Sequence, residues 1–158
     1  MKTKNNIRLL YSLLITIGVG AIAGIATASN INAWYAQLTK PSFNPPNSIF
    51  GPVWTVLYIL MGIALFLVWK QPASEKKSTA LGIFFVQLFL NFCWSFIFFY
   101  FHQIGFALID ISLLWIFIII TIFQFSKFSR LASWLLVPYI CWVSFATILN
   151  AAIFHLNS

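Results

Sequence analysis

The chain has 158 residues, of which 61% are hydrophobic, 19% aromatic and only 7% charged. Nine Lys and Arg against two Asp and Glu leave a net charge of +7. Soluble domains carry about 25% charged residues, so a water-soluble globule is excluded, and the abundance of Leu, Ile and Phe excludes a disordered chain.

Crossing a hydrocarbon core takes about 20 apolar residues. Five continuous runs of that length follow one another, at 7–28, 49–69, 79–100, 104–125 and 131–154. Their continuity argues against a barrel, whose strands alternate. The predicted fold is therefore an all-α integral membrane protein, a single domain over 1–158 with five transmembrane helices in one bundle. With five spans, Lys2, Lys4, Arg8, Lys70, Lys76, Lys77, Lys127 and Arg130 share one side and Lys40 stands alone on the other. The positive-inside rule then predicts a cytoplasmic N-terminus and an outside C-terminus. It also accounts for the basic charge without nucleic acid, which would need a clustered basic face on a soluble domain.

The first run follows a basic segment and ends in an A-x-A sequence at 26–28, which also fits a cleaved signal peptide. The run exceeds the usual 7–15 residues of such a segment, and a retained helix is expected. Its Gly20, Gly24 and Ala28 form a small-residue stripe suited to close helix packing. The stripe is one candidate dimer face, and the third span is another.

The connection 29–48 reads SNINAWYAQLTKPSFNPPNS. Asn30 or Asn32 is expected to cap a short helix through Leu38, and Pro41, Pro45 and Pro46 to stiffen an extended stretch after it. Trp34, Tyr35 and Phe43 suit either an interfacial aromatic belt or a lid over the outer mouth of the bundle; the prolines, which define a path, favour the lid.

Polar residues inside a membrane are costly and point to function. On the second span Trp54 and Tyr58 are one turn apart. On the third Gln87, Asn91 and Ser95 form a stripe, with Gln87 and Ser95 read as interhelical bonding groups. The fourth carries Asp110, the one acidic residue within a span, read as equally suited to a structural hydrogen bond. On the fifth, Tyr139, Trp142, Ala146 and Asn150 share a face. Cys93 and Cys141 read as small buried hydrophobes, and His102 and His155 as interfacial residues. No metal motif appears. Neither do a nucleophile–base pair, a phosphate loop or paired carboxylates, which disfavours hydrolase and phosphotransferase chemistry. Aromatic walls with a few polar groups suit a flat, largely apolar ligand such as a tetrapyrrole or sterol.

Three stretches carry a resemblance: WYAQLTKPSFNPPNSIFGPVWTVLYILMG at 34–62, LNFCWSFIFF at 90–99 and VPYICWVSFATILN at 137–150. They are similar to the signature motifs of the TspO/MBR family, the tryptophan-rich sensory and translocator proteins. The resemblance implies a five-helix bundle, commonly a homodimer, with a pocket opening at the loop side. It implies binding of protoporphyrin IX or heme-like tetrapyrroles as ligands, with no cofactor required, and a role in tetrapyrrole regulation. By motif position it implies ligand-binding roles for Tyr35, Pro45, Trp54, Asn91, Trp94, Trp142 and Ala146. The reading of the helix faces adds Tyr58 and Tyr139. Trp54 and Trp142 would be catalytic only if light-dependent porphyrin breakdown is real, and transport of a lipophile is the other alternative. The cholesterol motif of animal members is missing from ATILNAAIFHLNS at 146–158. That departure favours the inner membrane of a bacterium.

Overall fold

A computed structural model describes residues 2–158. It contains α1 (Lys2–Ile31), α2 (Trp34–Gln37), α3 (Asn47–Trp69), α4 (Glu75–Ser95), α5 (Ile104–Ser126), α6 (Arg130–Leu135) and α7 (Val137–Asn157). No strand occurs among the described residues. Five helical units are long and apolar enough to cross a membrane: α1, α3, α4 with its continuation to Tyr100, α5, and α6 joined to α7.

The boundaries depart from the apolar runs for local reasons. At the end of α1, Ser29 Oγ and Asn30 Nδ2 donate back to the carbonyls of Ile25 and Ala26, at 2.7 and 3.1 Å. Asn30 thus lengthens the first helix and does not cap the next one. The N-cap position of α2 is Ala33, which makes no side-chain bond, and α2 stops at Gln37 rather than Leu38. Ser74 begins α4 by accepting the Lys77 amide at 3.2 Å, and Ser129 begins α6 by accepting that of Ala132 at 3.2 Å.

Two irregularities were not predicted. The third span ends in a π-helical turn, Phe96–Tyr100, a form that often accompanies functional sites. The fifth span is not one helix, because Leu136 interrupts it between α6 and α7. Pro138, in the first turn of α7, has no N–H to bond back across that junction.

The spans close into a ring. α1 packs along α3 and touches α4; α4 packs on α5, α5 on α7, and α6 against α3. Met61, Ala64, Leu65, Phe84, Phe125 and Val143 are fully buried at its centre. Small residues set the α1–α3 approach. A side chain at Gly62 would meet Thr16 Oγ1 at 2.7 Å and the Leu13 backbone at 3.1 Å, and one at Gly20 would strike the Tyr58 ring. A side chain at Gly82 would meet nothing within 4 Å. Gly62→Leu should therefore cost about 1–3 kcal/mol through overpacking and lower the thermal unfolding midpoint in detergent. Gly82→Leu should leave that midpoint unchanged. Equal midpoints for the two variants would contradict the packing described.

Candidate ligand-binding site

The polar residues of three spans meet in one buried chain. Tyr58 Oη on α3 donates to Asn91 Oδ1 on α4. Asn91 Nδ2 donates to Tyr139 Oη on α7 at 3.0 Å, and Tyr139 Oη donates to Gln87 Oε1 at 2.9 Å. One turn nearer the lid, Trp94 Nε1 donates to Asn150 Oδ1 at 3.1 Å, and Asn150 Nδ2 donates to the Ile104 carbonyl at 3.1 Å. Gln87 therefore bonds between helices as expected. Asp110 does not make the hydrogen bond considered for it: its Oδ2 is buried with no partner among the described residues.

Three cavities surround this scaffold. The first, of about 440 Å³, lies between α1 and α3, with Gly20, Gly24, Thr27 and Ala28 on one side and Phe50, Trp54 and Tyr58 on the other. Ile31 and Asn47 line its lid-side end, and Ser95 is the one residue that α4 contributes. The small-residue stripe of the first span thus faces α3 within the chain. It lines a cavity there. Ser95, read as an interhelical bonding residue, likewise belongs to this cavity wall.

The second cavity is a groove of about 600 Å³ between α3 and α7, lined by Pro52, Val53, Pro138, Cys141, Trp142 and Phe145 among others. Cys141 is exposed along it rather than buried. The third cavity, directly beneath the lid, is only about 20 Å³, bounded by Tyr35, Phe50, Trp94, Phe98, Phe99 and Ala146 with their neighbours. That is room for about one water molecule.

Aromatic rings connect the three spaces. Trp54 lies 5.7 Å from Tyr58, 6.4 Å from Trp94 and 6.3 Å from Tyr139, centroid to centroid. Phe50 touches the edge of Trp142 at 6.0 Å and that of Tyr35 at 6.4 Å. The lid itself is clamped at several points. Trp34 stacks on His102 at 4.3 Å, and His102 Nε2 bonds Asn30 Oδ1 at 3.3 Å. His102 thus joins the lid clamp, and it adopts a left-handed φ of 59° to do so. At the lid's other end Asn157 makes a paired bond to the backbone of Thr39, accepting from its N–H at 3.0 Å and donating to its carbonyl at 2.9 Å. Tyr35, almost fully buried, donates to Asn44 Oδ1 at 2.6 Å. Among the described residues no three His, Cys, Asp or Glu side chains lie close enough together to hold a metal.

A family model described as the TspO/MBR family matches residues 12–156. The chain belongs to the TspO/MBR family. It is 42% identical over 154 residues to the tryptophan-rich protein TspO of Archaeoglobus fulgidus, covering 98% of this chain and 99% of that one. It is 43% identical over 156 residues to the protein of the same name from Chlorobaculum tepidum, covering 94% and 97%. The translocator protein of Homo sapiens is 42% identical over 126 residues, covering 78% of this chain and 75% of its own.

The residues expected from the TspO/MBR motifs separate into groups in the structure. Tyr35, Trp94 and Ala146 meet at the small space beneath the lid. Trp54 and Tyr58 line the α1–α3 cavity, while Asn91 and Tyr139 lie behind them in the hydrogen-bonded chain. Trp142 lines the separate α3–α7 groove, with its Nε1 buried and unpartnered among the described residues. Pro45 lines none of these three spaces; its carbonyl accepts from Asn44 Nδ2 at 3.1 Å and so shapes the lid turn that receives Tyr35. Phe50, which borders both the α1–α3 cavity and the space beneath the lid, was missed. Its spacing of four from Trp54, continuing to Tyr58, was the available signal.

Two outcomes follow from this geometry. Tyr139→Phe removes the acceptor of Asn91 and the donor to Gln87, and should cost about 1–3 kcal/mol of stability, read as a lowered unfolding midpoint. Burial pushes the Tyr35 phenol up to about 12. The closed lid favours the neutral phenol, so this contribution is complete below the ordinary value of about 10 and is lost as pH rises through about 12. Tyr35→Phe should speed amide deuterium exchange across 34–44 at pH 7; an unchanged exchange profile would rule the bond out as a lid fastening.

Proposed function

We propose that the chain is a membrane receptor or sensor for a flat, largely apolar tetrapyrrole, protoporphyrin IX or a heme-like molecule, with a regulatory role in tetrapyrrole metabolism or stress response. The observation that carries this reading is the α1–α3 cavity, about 440 Å³ with Trp54 as one wall. That volume falls within the roughly 300–1,000 Å³ typical of small-molecule sites. Its walls are small on α1 and aromatic on α3, a slot suited to a planar ring. The ligand's carboxylates would stay at the lid-side end, by Asn47, because burying unpaired charge in an apolar interior is costly. The basic residues other than Lys40 then face the cytoplasm at the end away from the lid, in a bacterial plasma membrane. We propose a homodimer, with the Gly20–Gly24–Ala28 stripe of the first span and the third span as candidate faces.

The photochemical alternative needs Trp54 and Trp142 both stacked near one porphyrin. In the structure the two indoles line different spaces, which favours the receptor reading over that mechanism.

Protoporphyrin IX added to the detergent-solubilised chain should quench tryptophan fluorescence in a saturable manner; an absence of saturation would overturn the proposal. Gly24 provides the sharper test. It lines the cavity, and a Cβ there would meet nothing within 4 Å. Gly24→Leu should therefore fold normally while occupying the slot, weakening porphyrin binding roughly tenfold, the equivalent of about 1.4 kcal/mol. Unaltered affinity in a folded Gly24→Leu protein would place the ligand elsewhere.

A further inference from the structure

We infer that Ser95 is a specificity-determining residue of the α1–α3 cavity, selecting flat apolar ligands that present a carbonyl or similar hydrogen-bond acceptor toward α4. The inference rests on the proposed reading of that cavity as the ligand site. It begins with the polar stripe of the third span. Gln87 and Asn91 are committed to Tyr139 and Tyr58. Ser95, the last member of the stripe, is only 7% exposed and lines the cavity, and its hydroxyl has no hydrogen-bond partner among the described residues.

The other cavity hydroxyls are taken. Thr27 donates to the Ala23 carbonyl at 3.2 Å and Thr55 to that of Gly51 at 2.9 Å, while Tyr58 is held by Asn91. Asn47, at the lid-side end, reaches Asn32 at 3.5 Å. One free hydroxyl therefore remains on an otherwise apolar or committed wall. A serine hydroxyl donates one hydrogen bond and accepts others, and leaving it unpaired in an apolar interior carries a desolvation cost. A ligand acceptor placed against it relieves that cost, whereas a ligand with a plain hydrocarbon edge does not.

The test compares two tricyclic probes of nearly equal shape, fluorenone with its carbonyl and fluorene without it, against the full-length protein in detergent, with protoporphyrin IX measured alongside. The wild type should bind fluorenone more tightly by about fivefold, the yield of one ordinary hydrogen bond. Ser95→Ala should erase the preference by weakening fluorenone alone, and Ser95→Thr, which keeps the hydroxyl, should restore it. A preference that survives in Ser95→Ala, or that is absent from the wild type while porphyrin binds saturably, would overturn the role of Ser95 and leave the cavity reading standing. Failure of the porphyrin and both tricycles to bind would overturn both.

Discussion

Everything in this bundle depends on one constraint: within the bilayer there is no water to satisfy a polar group, so each must be answered by another part of the chain. The chain of bonds from Tyr58 through Asn91 and Tyr139 to Gln87 meets that demand across three spans. Because each partner lies on a different helix, the bonds set the rotation of α3, α4 and α7 about their own axes. Apolar contacts alone specify such rotations weakly, since lipid tails pack against a helix about as well as a neighbouring helix does. Once α3 is held by Tyr58, Trp54 and Phe50, one and two turns toward the lid, must face the α1 side, and the cavity follows from the small residues that α1 presents there.

The abundance of aromatic residues divides by role on the same basis. Phe89, Phe106, Phe123 and Trp134 are exposed on the outside of the bundle, where lipid would cover them. Trp94 is pinned by Asn150 and stacks on Phe98 at 5.5 Å. Phe98 and Phe99 ride on the π-helical turn and reach Tyr35 of the lid, at 6.0 and 5.7 Å. The wider turn rotates this short stretch relative to a continued α-helix and brings the two rings beneath the lid. The space there is consequently filled by the protein's own side chains, and the open volume lies beside it, against α1.

The fold was legible in the sequence because the property that defines it, five apolar runs of spanning length, is a matter of composition and counting. Helix faces were legible to the same degree: Gln87 and Asn91 do share one face, and Tyr139, Ala146 and Asn150 do point inward. What could not be read is which neighbour a face meets. Trp142 and Tyr139 sit less than a turn apart on α7, yet one opens on the α3–α7 groove and the other on the buried chain. The Gly20–Gly24–Ala28 stripe announced close approach, yet only Gly20 comes near α3, at Tyr58, while Gly24 and Ala28 line the open cavity beside it. The break at Leu136 had a local signal in Pro138. The π-helical turn at Phe96–Tyr100 had none, because its side chains find their places through contacts with a lid made more than fifty residues earlier.

The fastenings of the lid also impose an order on assembly. The lid is synthesised directly after α1, but the groups that hold it are not. His102 follows the third span, and Asn157 arrives 118 residues after the Thr39 backbone it clasps. Trp34 and Tyr35 gain Phe98, Phe99 and His102 once the third span has been made, whereas Thr39 waits for Asn157 at the end of the fifth. The far end of the lid is therefore fastened in a separate, later step than its Trp34–Tyr35 end. The two ends of one short connection thus belong to different halves of the chain, and the last residues of the sequence complete what the first loop begins.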